Sequence, residues 1–268
     1  MRCLDELEVV DCPDILSQRL VLPSLKSLKV VNSGNLAHNI ECCSLTYFEF
    51  SSKHVNSITL QMWSVPALEE LCISGCTSLT SIGTDSIGTF PSLISLTVSY
   101  CNKLSTLDDF LTAEHLPAVE KITISGCCEL LSLPSERFGS FHSLKDFEVK
   151  WCDSMNWQRG LVLPSCLQKL SFIYCGDISI VVPSCLQNLE LLVSLNIYFG
   201  LGITIPGNVW WSYLPSLKEL TINCCPNLES IGGEEAIAKV EDVKVRFCRT
   251  IGDIKPDFIR GSPYWKEI

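Results

Sequence analysis

Cysteine is the residue type with the most chemistry to offer in this sequence. The chain has 16 cysteines, which could form disulfides, bind metal or fill a core. No C-x-x-C occurs and the four histidines are scattered, so the spacing of zinc ligands is absent. Adjacent cysteines such as Cys127-Cys128 and Cys224-Cys225 could be read as redox pairs. We expect buried, reduced thiols instead, because Cys is a small side chain that tolerates burial.

Catalytic patterns are also missing from the sequence. It contains no G-x-S-x-G motif, and no glycine is followed by lysine, which excludes a P-loop. The carboxylate pairs Asp108-Asp109 and Glu234-Glu235 are interpreted as solvated charges. We therefore expect no enzyme activity, no metal and no cofactor.

Charge and hydropathy restrict the class of partner. Lys and Arg number 20 against 30 Asp and Glu, a net charge of -10, whereas binding to a nucleic-acid backbone needs a basic face. Hydrophobic residues make up 47% of the chain, which excludes a disordered protein. No apolar run approaches the roughly 18 residues that a membrane span needs. The expected partners are therefore proteins, with no nucleic acid and no membrane span.

A short pattern, apolar-x-x-apolar-x-apolar-x-x-Cys, recurs along the whole chain. Clear copies begin at Leu68, Leu93, Val119 and Leu217, each with Cys at the ninth position. Eleven units can be aligned, with degenerate copies beginning at Leu25, Leu45 and Leu192, where Ser33, Lys53 and Gly200 take the ninth place. The first residues of the units are 4, 25, 45, 68, 93, 119, 144, 167, 192, 217 and 240. This spacing is that of leucine-rich repeats.

The repeat predicts an α/β leucine-rich-repeat solenoid, or horseshoe. Positions three to seven of each unit alternate with period two and predict a strand, and the strands of successive units should pair in parallel on the concave side. We expect an irregular or short-helical convex side, with short helices possible at Leu104–Leu116 and Gly233–Val240 and a loop at Leu201–Tyr213. An apolar-Pro-Ser/Ala element before many units, such as Val65-Pro66-Ala67, should end each convex segment and start the next strand. The repeat domain is placed at residues 1–250, and 251–268 is predicted to cap it.

Four segments carry a more specific resemblance. They are LPSLKELTINCCPNLESI (214–231), VPALEELCISGCTSLTSI (65–82), FPSLISLTVSYCNKLSTL (90–107) and LPSCLQKLSFIYCGDISI (163–180). These units resemble the C-terminal repeats of plant nucleotide-binding leucine-rich-repeat (NB-ARC-LRR) disease-resistance proteins, especially the coiled-coil class. The resemblance covers about residues 1–250. The first unit begins at Leu4, so we expect a fragment or a truncated product of such a receptor.

The resemblance implies a function in plant defense. It implies a non-enzymatic recognition module, in the cytoplasm, that senses pathogen effectors and takes part in autoinhibition. The implied partners are a pathogen effector or guarded host protein and the nucleotide-binding domain of the parent receptor. The alternative is the substrate-binding repeat region of an F-box ubiquitin-ligase adaptor, because such repeats also carry Cys at the ninth position.

Positions three, five and seven should face outward on the concave sheet. They hold eight acids and six bases, a mixed surface that suits protein recognition. The eighth position holds aromatic residues in three consecutive units, Trp151, Tyr174 and Phe199, which could form a binding ridge roughly 10 Å long. The same rings could instead pack along the rim of the solenoid and support the turn. The candidate protein-binding residues are Tyr100, Lys121, Asp146, Glu148, Lys150, Trp151, Lys169, Tyr174, Tyr198, Phe199, Arg246 and Phe247.

Overall fold

The strands of the protein are short and most have five residues. A computed structural model describes residues 4–12, 20–33, 40–59, 63–83, 89–179, 182–200, 210–228, 230–248 and 258–260. In chain order the strands are β1 (Glu6–Val10), β2 (Leu20–Val21), β3 (Ser27–Val31), β4 (Ile40–Glu41), β5 (Tyr47–Ser51), β6 (Ser57–Thr59), β7 (Trp63–Ser64), β8 (Glu70–Ser74), β9 (Ser81–Gly83), β10 (Ser95–Ser99), β11 (Lys121–Ser125), β12 (Asp146–Lys150), β13 (Lys169–Ile173), β14 (Ser194–Tyr198), β15 (Glu219–Asn223), β16 (Asp242–Arg246) and β17 (Phe258–Arg260).

One sheet runs the length of the molecule. Its order is β1-β3-β5-β8-β10-β11-β12-β13-β14-β15-β16-β17, and only the last pair, β16 and β17, is antiparallel. The other eleven strands occupy positions three to seven of the eleven units. They pair in register, so that Leu96 lies between Leu71 and Ile122 on the two neighbouring strands. The prediction of a parallel leucine-rich-repeat-type solenoid is therefore confirmed.

The core is a continuous row of apolar side chains behind this sheet. Along each strand the fourth and sixth positions turn inward and the third, fifth and seventh turn outward, as in β12, where Phe147 and Val149 are buried between half-buried polar residues. Inward leucines of adjacent units then pack against one another, because each unit alone has too little apolar surface to form a core.

The apolar-Pro-Ser/Ala elements form turns before the strands. In Val65-Pro66-Ala67-Leu68 the Leu68 amide donates to the Val65 carbonyl at 3.1 Å, with proline at the second turn position, which its fixed φ favours. Val182-Pro183-Ser184 is an exception. It lies in a one-turn helix, α1 (Val182–Cys185), nine residues before β14 begins.

The convex side differs from the expectation. In the first units it is built of short parallel strands, with β2-β4-β7 in one small sheet and β6-β9 in another. In the later units it consists of single helical turns. These are α1, α2 (Gly233–Ala236) and the 3₁₀ turns Arg137–Ser140, Trp157–Arg159 and Trp210–Tyr213.

The two predicted convex helices had different outcomes. Gly233–Val240 begins with α2, but residues 104–116 form turns without a helix. In that segment Phe110 and Leu111 are both completely buried, and the amides of both bond to the Leu107 carbonyl. A second turn follows, in which the His115 and Leu116 amides donate to the Thr112 carbonyl, so the segment makes two separate turns over the core and no continuous helix. Of the predicted loop, residues 201–209 lie outside the described part of the chain, and 210–213 form a 3₁₀ turn.

The last described strand reverses the direction of the sheet. β17 pairs antiparallel with β16, and the Arg260 guanidinium donates to the carbonyls of Ile237 and Val240. These contacts satisfy backbone oxygens at the end of the last convex segment. A capping role for residues 251–268 remains a prediction, since only 258–260 of them are described.

Candidate functional site

The outward positions of the sheet carry seven of the candidate residues. Lys121, Asp146 and Lys169 are the first residues of β11, β12 and β13, Glu148 is the third residue of β12, and Lys150, Tyr198 and Arg246 are the last residues of β12, β14 and β16. The charged side chains pair locally. Lys121 Nζ lies 3.7 Å from Asp146 Oδ2, and Lys150 Nζ lies 2.8 Å from Glu148 Oε2. In both pairs a cation lies next to a carboxylate, so neither pair presents a charge of a single sign.

The eighth position of the units has an unusual backbone. In ten of the eleven units the residue there has a positive φ, between 48° and 63°. Its amide still donates to the neighbouring strand, as Trp151 N does to Ile173 O at 2.8 Å and Phe199 N does to Asn223 O at 2.9 Å. The chain thus bends in the left-handed region at the edge of the sheet. We call these eighth residues the rim column. They are Asp11, Asn32, Gly75, Tyr100, Gly126, Trp151, Tyr174, Phe199, Cys224 and Phe247.

The rim column divides into two parts by residue type. Asp11, Asn32, Gly75 and Gly126 are of the types that adopt a left-handed conformation with little strain. From Trp151 onward the column holds aromatic residues and Cys224 instead. A bulky residue in this region is an outlier that costs of order 1 kcal/mol. The aromatic residues therefore stand where the fold alone would favour glycine or asparagine.

The aromatic rings of the rim column are accessible to a partner. Trp151, Tyr174 and Phe199 are 47%, 51% and 45% exposed, and Tyr100 and Phe247 are also exposed. The Tyr174 and Phe199 rings meet edge-to-face with centroids 5.6 Å apart. This exposure meets the condition for a binding ridge, which stays a prediction.

Charged groups lie at the two ends of this aromatic stretch. Lys150 Nζ lies 5.8 Å from the centroid of the Trp151 ring, and the Arg246 guanidinium lies 4.9 Å from that of Phe247. Both distances are within the range of a cation–π interaction. Tyr198, beside Phe199, is half-buried, and burial raises the pKa of its phenol, so that it is neutral at physiological pH.

Tyr100 is set apart from the other aromatic residues of the rim column. Its ring leans over Gly126 of the next unit, where an added Cβ would lie 2.8 Å from Tyr100 Cδ1. Gly126 also separates Tyr100 from Trp151 along the column, as Cys224 separates Phe199 from Phe247. The structure therefore brings Trp151, Tyr174 and Phe199 together in consecutive units and leaves the other two apart.

Gly126 provides a test of the rim geometry. We expect Gly126→Ala to destabilise the protein by about 2 kcal/mol for two reasons. The positive φ is unfavourable for alanine, and the added Cβ would clash with the Tyr100 ring. Gly75→Ala is the matched control. Gly75 lies in the same rim column with the same φ of 63°, but an added Cβ there meets only the Ser51 Oγ at 3.1 Å, so we expect about 1 kcal/mol. Urea unfolding measures both. An equal cost at the two sites, or an unchanged cost of Gly126→Ala in a Tyr100→Asn background, would contradict this geometry.

The unit that begins at Leu45 corrects the sequence alignment. The alignment places Lys53 at the inward ninth position, but Ser52 is the buried residue and has no positive φ. This unit lacks the left-handed residue, so the alternation of the strand continues from Phe48 and Phe50 directly to Ser52. Its rim position is consequently empty, and the column has ten members.

The ninth-position cysteines line the inner side of the turn. Cys175 Sγ lies 3.3 Å from the Ile173 carbonyl in its own unit and 3.0 Å from the Val149 carbonyl in the preceding unit. Cys101 makes the same two contacts at 3.5 Å and 3.9 Å. Burial raises the pKa of the Cys175 thiol to about 12. Six of the ninth-position cysteines are buried, as a role in packing requires: Cys76, Cys101, Cys127, Cys152, Cys175 and Cys225.

The paired carboxylates lie away from the sheet. Asp108 and Asp109 lie beside a convex cleft of about 350 Å³ that Glu136, Arg137 and Arg159 also line. Asp109 is exposed and Asp108 is half-buried, so the interpretation of the pair as solvated charges fits Asp109 better than Asp108. Glu234 and Glu235 are exposed in the first turn of α2. Among the described residues, no three His, Cys, Asp or Glu side chains are grouped as a metal site requires.

The sequence pattern predicted the aromatic residues of the rim column but not their left-handed backbone conformation. The signal was present, because Asp11, Asn32, Gly75 and Gly126 in the same column are the residues that favour a left-handed turn. Because all these residues share one position of the repeat, the left-handed backbone conformation could have been predicted for the other members of the rim column as well.

Comparison with known proteins does not identify a family for this chain. No family model matches the chain, and no curated protein matches it. A crystal structure of a TLR13–ssRNA13 complex is similar, with a TM-score of 0.40 and 15% identity over 87% of this chain. The chain spans about 40% of that neighbour's length. In the described residues, none of the helices has the length and apolar composition needed to cross a bilayer. The strand order and register therefore carry the assignment of a leucine-rich-repeat-type solenoid.

Proposed function

We propose that the chain is a non-enzymatic protein-recognition module and that its rim column is the contact surface. One observation carries the proposal. Trp151, Tyr174 and Phe199 are half-exposed and occupy strained left-handed positions in three consecutive units. Strain of this kind concentrates at functional positions, and exposed aromatic residues dominate binding hot spots.

The finer function that we propose is recognition in plant immunity. The repeat unit with Pro-Ser/Ala before the strand and Cys after it resembles that of intracellular nucleotide-binding immune receptors. In such a receptor the module would hold a pathogen effector or a guarded host protein in the cytoplasm, and would pack against the receptor's own nucleotide-binding domain. Loss of the second contact on effector binding would shift the population toward the active receptor.

The test combines a rim variant with a control of equal size. The wild-type chain serves as bait in a two-hybrid screen against libraries of pathogen effectors and plant proteins. Every interaction is then measured with the triple variant Trp151→Asn, Tyr174→Asn, Phe199→Asn. Asparagine is chosen because Asn32 adopts the same left-handed backbone in this chain. We expect the triple variant to fold and its Kd values to rise at least about 100-fold, since it removes three exposed aromatic side chains, two of which, Trp and Tyr, are hot-spot types.

The control removes exposed apolar side chains elsewhere. Leu131→Asn, Val162→Asn and Leu191→Asn change three residues that are at least as exposed but lie outside the main sheet. We expect this control to keep its interactions. Interactions that survive in the rim variant, or screens that yield no binder, would contradict the proposed function.

A further inference from the structure

We propose that the rim binds an extended, apolar segment of a partner protein that carries a carboxylate at each end. This inference rests on the proposed function and specifies the chemistry of the partner. The relevant surface, which we call the rim strip, consists of the seventh and eighth positions of the five consecutive units from β12 to β16.

The rim strip has charged residues only at its two ends. Lys150 and Trp151 form one end, and Arg246 and Phe247 form the other. Between them lie Ile173, Tyr174, Tyr198, Phe199, Asn223 and Cys224, none of which is Asp, Glu, Lys or Arg. The strip therefore presents an apolar, largely aromatic middle with one cation at each end and no carboxylate.

Both cations can accept a further carboxylate while keeping their present contacts. Lys150 already pairs with Glu148 and lies over Trp151, but an ammonium has three donors. Arg246 lies over Phe247, and a guanidinium has five donors in a fork that matches a carboxylate. A cation held against an aromatic ring is also already partly ordered, which lowers the entropy that binding costs.

The dimensions of the rim strip favour an extended segment over a helix. Four strand spacings separate Lys150 from Arg246, about 19 Å at about 4.8 Å per spacing. An extended chain covers that distance in about six residues at about 3.3 Å each. The strip is two residues wide, about 7 Å along the strands, which is narrower than the roughly 10–12 Å diameter of a helix with its side chains. The predicted ligand thus has acidic residues about six positions apart with apolar residues between them.

Single-stranded nucleic acid is the competing ligand for an aromatic platform with cations. Its phosphates recur at every nucleotide and need cations along the whole groove. The middle of the rim strip offers no cation between Lys150 and Arg246, so it has cations for a carboxylate at each end but none for a phosphate at every nucleotide. Charge complementarity therefore favours the acidic peptide.

The test is a selection from a phage-displayed library of random nine-residue peptides on the intact chain. We expect enriched peptides to carry Asp or Glu about six residues apart with apolar residues between them. A synthetic, fluorescein-labelled peptide from the enriched set is then titrated by anisotropy. Lys150→Glu and Arg246→Gln should each raise its Kd about 10-fold, and the Lys150→Glu loss should be recovered when the facing acid of the peptide is changed to Lys.

The outcomes separate this inference from the proposed function. Peptides that depend on Trp151, Tyr174 and Phe199 but show no acidic preference would overturn the inference and leave the function standing. Enriched peptides that bind the triple asparagine variant equally well, or no enriched peptide, would contradict both. Rim-dependent binding of an oligo(dT) probe that exceeds peptide binding would also overturn the inference.

Discussion

Phe147→Ala is expected to lower the free energy of unfolding by about 3–5 kcal/mol. Phe147 is completely buried in β12, in the middle of the solenoid. Its ring lies 4.6 Å from that of Phe138 and 6.5 Å from that of Phe172, which in turn meets Trp157 at 5.4 Å. Removing the ring leaves a cavity that adjacent units share, and packing holds those units together.

Phe147→Leu is the matched control for this effect. It keeps most of the buried volume, so we expect a cost of less than about 1.5 kcal/mol. Urea unfolding followed by circular dichroism and by tryptophan fluorescence measures both variants and shows whether the units unfold together. Equal costs for Ala and Leu would show that this aromatic cluster does not hold the central units together.

The stability of the protein is expected to fall steeply at alkaline pH because of its buried thiols. The pKa of Cys175 is raised to about 12 in the folded state, against about 8.5 for a thiol in an unfolded chain. Between these values the unfolded state releases a proton that the folded state keeps, so unfolding becomes more favourable as the pH rises. This stabilisation is complete below about pH 8.5 and is lost as the pH rises toward about 12.

The contribution of Cys175 can be isolated by difference. Each thiol of this kind adds up to about 1.4 kcal/mol per pH unit to the slope, so Cys175→Ala should make the slope shallower by about that amount between pH 9.5 and 11. Cys128→Ala, which removes an exposed thiol, is measured beside it as the control for loss of a sulfur atom at the surface. The free energy of unfolding in urea at several pH values is the measurement. A Cys175→Ala slope equal to that of the native chain would show that Cys175 ionises alike in both states.

The eleven parallel strands of the main sheet could be predicted to the residue from the sequence, whereas the antiparallel strand β17 could not. All eleven parallel strands coincide with positions three to seven of the units, because the period-two pattern and the inward ninth residue together fix the register. Lys53 was misplaced because the turn of its unit is one amino acid shorter than the turns of the other units. Alignment by the spacing of the units does not detect this deletion. The alternation of inward residues, which runs from Phe50 to Ser52, does detect it.

The convex side could not be predicted in the same way. Its strands are two or three residues long, as in β4 and β7, and so short a segment shows no periodicity. Those strands form because the main sheet fixes the distance between neighbouring units, which brings the convex backbones of those units side by side. The exposure of the aromatic residues could not be predicted from the sequence either. The same residues could pack along the rim of the solenoid or face the solvent.

The left-handed turn that follows ten of the strands has a consequence for how the sequence of this protein can evolve. The backbone makes this bend in ten units while the side chain points away from the core, and the position accepts Asp, Asn, Gly, Cys, Tyr, Trp and Phe within a single chain. Exchanging one such residue alters what the edge displays without repacking the interior. New binding preferences could therefore arise, or be engineered, one amino acid at a time.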